Sequence, residues 1–209
     1  MISFREHCQL DEAFTDPLPI KVTMRPQAWT ASFTVPASPD DPRGRWADKD
    51  YEVSFDRSPP RSTALTIPKE LKTSNVAWEL TFQSDDPDDS FVVTGGGQAF
   101  TVFATVIHAL KMFVQKTRPH PFIFFTAKEA SRQKLYDRFI RMVKSTVPGM
   151  HGLKLNNTPA VKQILSTPGS TQGTYVIVPT HISLNTVYSL VNVWHRNTDA
   201  AADEFLSSL

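Results

Sequence analysis

Three consecutive glycines, Gly95 to Gly97, stand between a strand-like run, Ser90 to Thr94, and an apolar segment, Ala99 to Val114, that is too rich in Phe and Val to be solvated. After Pro119 and Pro121, the aromatic and β-branched run Phe122 to Thr126 reads as a short central strand. Glu129 to Ser145 reads as a second helix, with Leu135, Phe139, Met142 and Val143 as its apolar stripe. A glycine turn, a buried helix, a core strand and another helix in this order predict a layered fold in which other strands and helices cover both elements.

The rest of the chain supplies those strands. Ile20, Val22 and Met24 alternate with polar residues, and so do Trp29, Ala31, Phe33 and Val35, with Arg25 to Ala28 between them as a hairpin connection. Tyr51, Val53 and Phe55 form another alternating run, as do Val76, Trp78, Leu80 and Phe82, each suited to half-buried antiparallel sheet. Pro36 to Asp50 reads as a surface loop whose Trp46 either folds back on the core or belongs to a binding surface. Gly152 to Leu155 and Thr174 to Val178 read as strands separated by a loop rich in Pro, Gly, Ser and Thr, the second suited to an edge or terminal hairpin. Leu184 to Trp194 has helical spacing, and Ala200 to Leu209 reads as a further short amphipathic piece. That tail either caps the sheet, the preferred reading, or serves self-association. The expected fold is α+β, a mixed and mostly antiparallel sheet with two central helices and a C-terminal helical segment. Residues 1–16 are expected to form a leader or short helix, 17–182 a single domain and 183–209 the tail.

Composition removes several function classes. A formal charge of +1 over 209 residues argues against a surface that seeks nucleic acid everywhere. Cys8 is the only cysteine, so no internal disulfide forms, and with only His7 beside it a nucleophilic role has little support. Met1 to Phe14 carries charges throughout, unlike a signal peptide, and no apolar run approaches the ~20 residues of a membrane-spanning helix. His7, His108, His120, His151, His181 and His195 are scattered singly, which gives no transition-metal pattern. His108 lies on the most apolar helix and reads as a core histidine. The acidic loop around Asp85, Asp86, Asp88 and Asp89 lacks the glycine and closing Glu of a calcium loop and reads as a solvated turn. No metal site is expected.

Two features carry chemistry. The Thr94–Gly97 turn either presents backbone N–H groups and a helix N-terminus to phosphate or carboxylate, or only lets a strand turn sharply into a helix. It is not a Walker A loop, because no Lys-Ser/Thr pair follows. Second, residues 111–144 hold nine Lys or Arg against Glu129 and Asp137, a local charge of +7 in a nearly neutral chain. In the second helix Arg132, Lys134, Arg138 and Arg141 fall beside the apolar stripe as a basic face. Phosphates of a cofactor, nucleic acid or an acidic protein would suit that face, and so would solvent alone.

The order of elements from Trp29 onward resembles the GNAT acyltransferase superfamily. In that family a glycine-rich turn after a strand binds the pyrophosphate of acyl-CoA at a helix start, and a later helix carries a Leu-Tyr pair. The resemblance places Gly95, Gly96, Gly97, Gln98 and Ala99 on the pyrophosphate, and Tyr136, in Ser131-Arg132-Gln133-Lys134-Leu135-Tyr136, as the acid that protonates the leaving thiolate. The chain departs from the family pattern in having Val92 where a Gln or Arg precedes the first glycine, and in continuing the helix through Phe139 and Ile140 where Gly-Phe is usual. The combination of Gly-Gly-Gly-Gln-Ala-Phe, Phe-Thr-Ala and Ser-Arg-x-Lys-Leu-Tyr also resembles a group of tailed-phage proteins. Leu10-Asp11-Glu12 resembles sites cut by phage prohead proteases, implying cleavage after Glu12. These resemblances imply a phage accessory or virion-associated binding protein on a GNAT-like scaffold, in the host cytoplasm or virion. Such a protein needs no cofactor and has a protein partner first, nucleic acid through the basic helix second, self-association through the tail third, and no membrane. The alternative is an acyl-CoA-dependent N-acyltransferase.

Overall fold

The computed structural model describes residues 17–37, 48–57, 65–84, 98–127, 130–165 and 173–207. Among them the strands are β1 (Lys21–Arg25), β2 (Ala28–Val35), β3 (Lys49–Arg57), β4 (Ala77–Ser84), β5 (Phe122–Ala127), β6 (Met150–Leu155) and β7 (Gly173–Pro179). The helices are α1 (Gln98–Lys116), α2 (Ala130–Thr146), α3 (Pro159–Leu165) and α4 (Leu184–Ser207). The strands hydrogen-bond in the order β1-β2-β3-β4-β5-β7-β6. β1–β2, β5–β7 and β7–β6 are antiparallel and β4–β5 is parallel, so the fold is α+β with a mixed sheet. The expectations for residues 1–16 with cleavage after Glu12, the Trp46 loop, the Asp85 to Asp89 turn, the Ser90 to Thr94 strand and Gly95 to Gly97 lie outside the described residues.

The described residues fall in two compact units, one within Met1–Phe55 and Thr81–Phe113, the other within Asp56–Leu80 and Val114–Leu209. In the first unit the period-two pattern does what it predicts. β1 and β2 form the hairpin through Arg25↔Ala28, and β2 buries Trp29, Ala31, Phe33 and Val35 while its alternate residues stay more open. Phe33, Tyr51 and Phe82 stack at 5.5 to 6.3 Å, and Trp29, Phe55 and Phe113 make a second aromatic group in which Phe55 and Phe113 lie 4.1 Å apart. Val102 to Ile107 of α1 are buried without interruption, as a helix apolar all round requires. The buried Thr105 hydroxyl is satisfied: it donates to the Thr101 carbonyl at 2.7 Å and accepts from the Leu18 N–H at 2.9 Å. His108 on the same helix is half-buried.

In the second unit one sheet face, with Phe122 and Phe124 of β5, Val176 and Val178 of β7 and Leu155 of β6, belongs to a core shared with α3 and α4. α4 contributes Val187, Leu190, Val191 and Trp194 at i, i+3, i+4 and i+7, so the C-terminal segment caps the sheet. Trp194 fixes its position: the ring meets Phe122 edge-on at 5.8 Å and its N–H donates to the Thr66 carbonyl at 3.1 Å. Ser183 caps the helix start, accepting from the Thr186 N–H at 3.1 Å.

Several expectations are corrected here. α4 is one continuous helix, not two pieces. β4, expected in antiparallel sheet, pairs on its β5 side in parallel register, Ala77↔Phe122 to Glu79↔Phe124. β7 is no edge: it pairs with β5 on one side and β6 on the other, and all seven of its residues are buried. That position explains its unbroken Tyr-Val-Ile-Val run, which period-two reasoning assigns to a half-exposed strand. The loop expected between β6 and β7 contains α3. Thr158 caps it by accepting from the Val161 N–H at 3.2 Å, Pro159 begins it, and Val161, Ile164 and Leu165 reach the core.

Candidate functional site

α2 carries Tyr136 and the four cations expected to form a basic face, and its position follows from its apolar stripe. Phe139, Ile140 and Val143 are buried, whereas Met142 is only half-buried, so Ile140 takes the core position that spacing assigned to Met142. The Leu135 side chain is outside the described ones. The helix packs mainly on β6, with lesser contact to β5 and β7. A Cβ built on Gly152 of β6 would lie 2.4 Å from Ile140 Cβ and 2.7 Å from Ile140 Cα, so the strand admits α2 only because this residue has no side chain.

Tyr136 is half-buried against the sheet. Its ring stands edge-on to Phe125 of β5 at 5.4 Å and to Tyr175 of β7 at 5.9 Å, while Phe125 and Tyr175 stack on each other at 5.2 Å. Phe139 adds a further edge contact to Phe125 at 5.7 Å. Such edge-to-face and offset contacts set ring orientation as well as burial.

Beside this aromatic group lies a polar cluster. The Tyr175 hydroxyl donates to Asp137 Oδ1 at 2.9 Å, and Lys154 Nζ donates to both Asp137 oxygens at 2.9 and 3.1 Å. Lys154 and Tyr175 are directly opposed in the β6–β7 register, with the Lys154 ammonium 5.6 Å from the centre of the Tyr175 ring. For Asp137, partial burial pushes the carboxyl pKa up, but the hydrogen bonds from Lys154 and Tyr175 and the charges of Lys154 and Arg141 together outweigh it. The net result lies below the usual carboxylate value. For Tyr175, burial raises the phenol well above its ordinary value, and the hydrogen bond and charge of Asp137 push the same way. The Tyr175 hydroxyl is therefore a fixed proton donor that holds α2, not a group that titrates near neutral pH.

Of the expected site residues, Tyr136, Arg132, Lys134, Arg138 and Arg141 all belong to α2. Arg141 is exposed and Arg138 half-buried, and the side chains of Arg132 and Lys134 lie outside the described ones. Gln98 and Ala99 are the first two residues of α1, in the first unit, whereas Tyr136 belongs to the second. Asp137, Lys154 and Tyr175 escape a sequence reading. Asp137 stands out only as the one acid among basic neighbours, and its link to Lys154 and Tyr175 exists only once β6 and β7 pair. Among the described residues no group of three His, Cys, Asp or Glu side chains comes together to hold a metal. No described helix is long and apolar enough to cross a membrane. Comparison with protein-family models, with curated proteins and with solved structures yields no match to this chain.

Proposed function

We propose that the chain is a binding protein of tailed-phage origin, acting in the virion or host cytoplasm, that engages an acidic protein partner through the outer face of α2. The observation that carries this reading is the engagement of Asp137. It is the only acidic residue among the 17 of α2, and Lys154 and Tyr175 hold its carboxylate toward the sheet. The other formal charges of the helix, Arg132, Lys134, Arg138, Arg141 and Lys144, are all positive, and Arg141 and Lys144 are exposed. A row of cations on one helix face attracts and orients a negatively charged surface, with a strength that falls as salt rises. The aromatic residues of α2, Tyr136 and Phe139, are engaged in ring contacts with β5, so the helix offers no stacking platform for nucleic-acid bases. The test is capture from a host lysate by the wild-type protein and by Arg138→Glu/Arg141→Glu, with Arg141→Glu alone as the milder variant and thermal melting to establish folding. The reading requires partners that the double variant loses and that polyglutamate displaces better than an oligonucleotide does. A capture profile untouched by the charge reversal overturns it.

A second reading, an acyl-CoA-dependent N-acyltransferase on a GNAT-like scaffold, is favoured by a separate observation. β4 and β5 run parallel with α1 between them in sequence, and Tyr136 of the next helix sits against Phe125 of β5. In this reading Gly95, Gly96, Gly97, Gln98 and Ala99 hold the pyrophosphate, and the Tyr136 phenol gives its proton to the thiolate of the departing CoA. Calorimetric titration with acetyl-CoA decides it. Binding with turnover that Tyr136→Phe lowers supports the transferase, and no heat at millimolar ligand eliminates it.

A further inference from the structure

β1 is an end strand of the sheet: among the described residues it pairs only with β2, so its outer edge carries backbone groups with no strand beside them. The hairpin fixes which groups these are. Only Pro26 and Gln27 separate Arg25 from Ala28, which makes Arg25↔Ala28 the closing hydrogen-bonded pair, and alternation makes Thr23↔Thr30 and Lys21↔Ser32 hydrogen-bonded pairs too. The Thr30 and Ser32 hydroxyls, which reach the Thr23 and Lys21 carbonyls at 3.5 Å, agree with this phase. The N–H and C=O of Val22 and Met24 therefore point away from β2. Pro26, the next position in that phase, has no N–H and ends the run.

The side chains of β1 divide by face. Val22 and Met24 oppose Ala31 and Trp29, both buried, so they continue the apolar face of the sheet beyond β2. Met24 is nevertheless 66% exposed, more than any other large apolar side chain described. Lys21, Thr23 and Arg25 lie on the opposite face and are exposed. Neither cation has a carboxylate partner among the described residues, and β1 itself contains no acid. The edge thus offers outward backbone donors and acceptors, an apolar shelf on one face and two unmatched positive charges on the other.

We propose that β1 accepts an extended segment of a partner protein as an added strand, and that this segment reads acidic-apolar-any-apolar-acidic. Its two apolar residues exchange main-chain hydrogen bonds with Val22 and Met24 and cover their side chains, while its two carboxylates stand across from Lys21 and Arg25. A second copy of this chain fits poorly. The register that pairs all of Lys21–Arg25 with itself centres on Thr23 and sets Lys21 against Arg25 on both sides, and like charges directly opposite repel. The edge is independent of the α2 face, since it shares no residue with α2 and belongs to the first unit.

The probe is a fluorescent, end-blocked peptide containing Glu-Val-Thr-Val-Glu, titrated by anisotropy, with amide hydrogen exchange followed by NMR on the full chain. The expected result is saturable binding that slows exchange of the Val22 and Met24 amides. Replacing both Glu of the peptide by Gln should weaken it by about threefold to tenfold, and a Lys-Val-Thr-Val-Lys peptide should bind more weakly still. In Lys21→Glu/Arg25→Glu the preference should reverse, the Lys peptide binding more tightly than the Glu peptide. Met24→Pro removes an outward N–H that no β1–β2 bond uses, and should weaken the Glu peptide by about tenfold or more in a protein that still folds. Four results overturn the proposal: no saturation at millimolar peptide, equal binding of the Glu and Lys peptides, undiminished binding by folded Met24→Pro, or protection of Val22 and Met24 that rises with protein concentration alone. The last would assign the edge to a second copy of the chain.

Discussion

Gly152→Ala is the substitution with the most determinate consequence. The new methyl carbon would sit 2.4 Å from Ile140 Cβ, 2.7 Å from Ile140 Cα and 2.8 Å from the Ile140 carbonyl oxygen. Carbon atoms in contact prefer about 3.5–4.0 Å, so α2 and β6 must part by about an ångström, and no rotamer change of Ile140 relieves a clash with its Cα and carbonyl. Overpacking of this kind costs about 1–3 kcal/mol, with the upper half expected where backbone must move. The opposing gain, a less flexible unfolded chain with Ala in place of Gly, is about 0.4–1 kcal/mol. The clash wins, for a net loss of about 2 kcal/mol and a fall in melting temperature of about 4–8 °C in a chain of this size. Gly173→Ala is the control: the nearest atoms to its Cβ would be those of the Tyr175 side chain, at 3.3 to 3.6 Å, which a shift of a few tenths of an ångström relieves. Thermal and urea unfolding of the two variants measures the difference. A Gly152→Ala protein as stable as wild type, or no less stable than Gly173→Ala, refutes the close approach of α2 to β6 and with it the placement of Tyr136 and Asp137.

Tyr175→Phe removes the buried donor to Asp137 and is expected to cost about 1–2 kcal/mol near neutral pH, read by urea unfolding. Because the folded Asp137 carboxyl lies below its ordinary 3.8, its contribution is present above that value and is lost as pH falls through the folded pKa. The gap between wild type and Tyr175→Phe should therefore narrow in strong acid, though modestly, since the Asp137 side chain is 35% exposed and screened by solvent. The sign for His120 is similar: its folded pKa lies below 6.5, so its contribution holds above that value and declines as pH falls toward the folded pKa. His120→Gln should flatten the stability profile there, and an unchanged slope would show that His120 is not held neutral. Trp194→Ala, which empties the contact with Phe122 and leaves the Thr66 carbonyl without its donor, should cost about 3–5 kcal/mol in chemical denaturation.

What the sequence discloses here depends on how local the determining interaction is. The β1–β2 hairpin is legible because alternation and a short connection lie within 16 residues, Ile20 to Val35. α1 is legible because its continuous burial from Val102 to Ile107 leaves a long apolar run, and α4 because Val187, Leu190, Val191 and Trp194 mark one face. β7 is misread as an edge because its place between β5 and β6 is set by strand pairing, which no local pattern encodes, although its unbroken apolar run is itself the mark of a strand covered on both faces. α3 escapes because its seven residues fall inside a run rich in loop formers, although Thr158-Pro159 is a cap followed by a first-turn proline. The candidate sites divide in the same way. The cations of α2 can be counted along one helix, whereas Lys154 and Tyr175 reach Asp137 only through strand pairing.

The proposal that α2 engages an acidic partner, with Arg141 and Lys144 exposed while its one acid is held by the sheet, is tested most directly by capture with Arg138→Glu/Arg141→Glu against wild type, both shown to be folded. The account predicts that the charge-reversed protein loses the partners that the wild type retains at low salt and releases at high salt. Identical partners at identical yield from both proteins would contradict it.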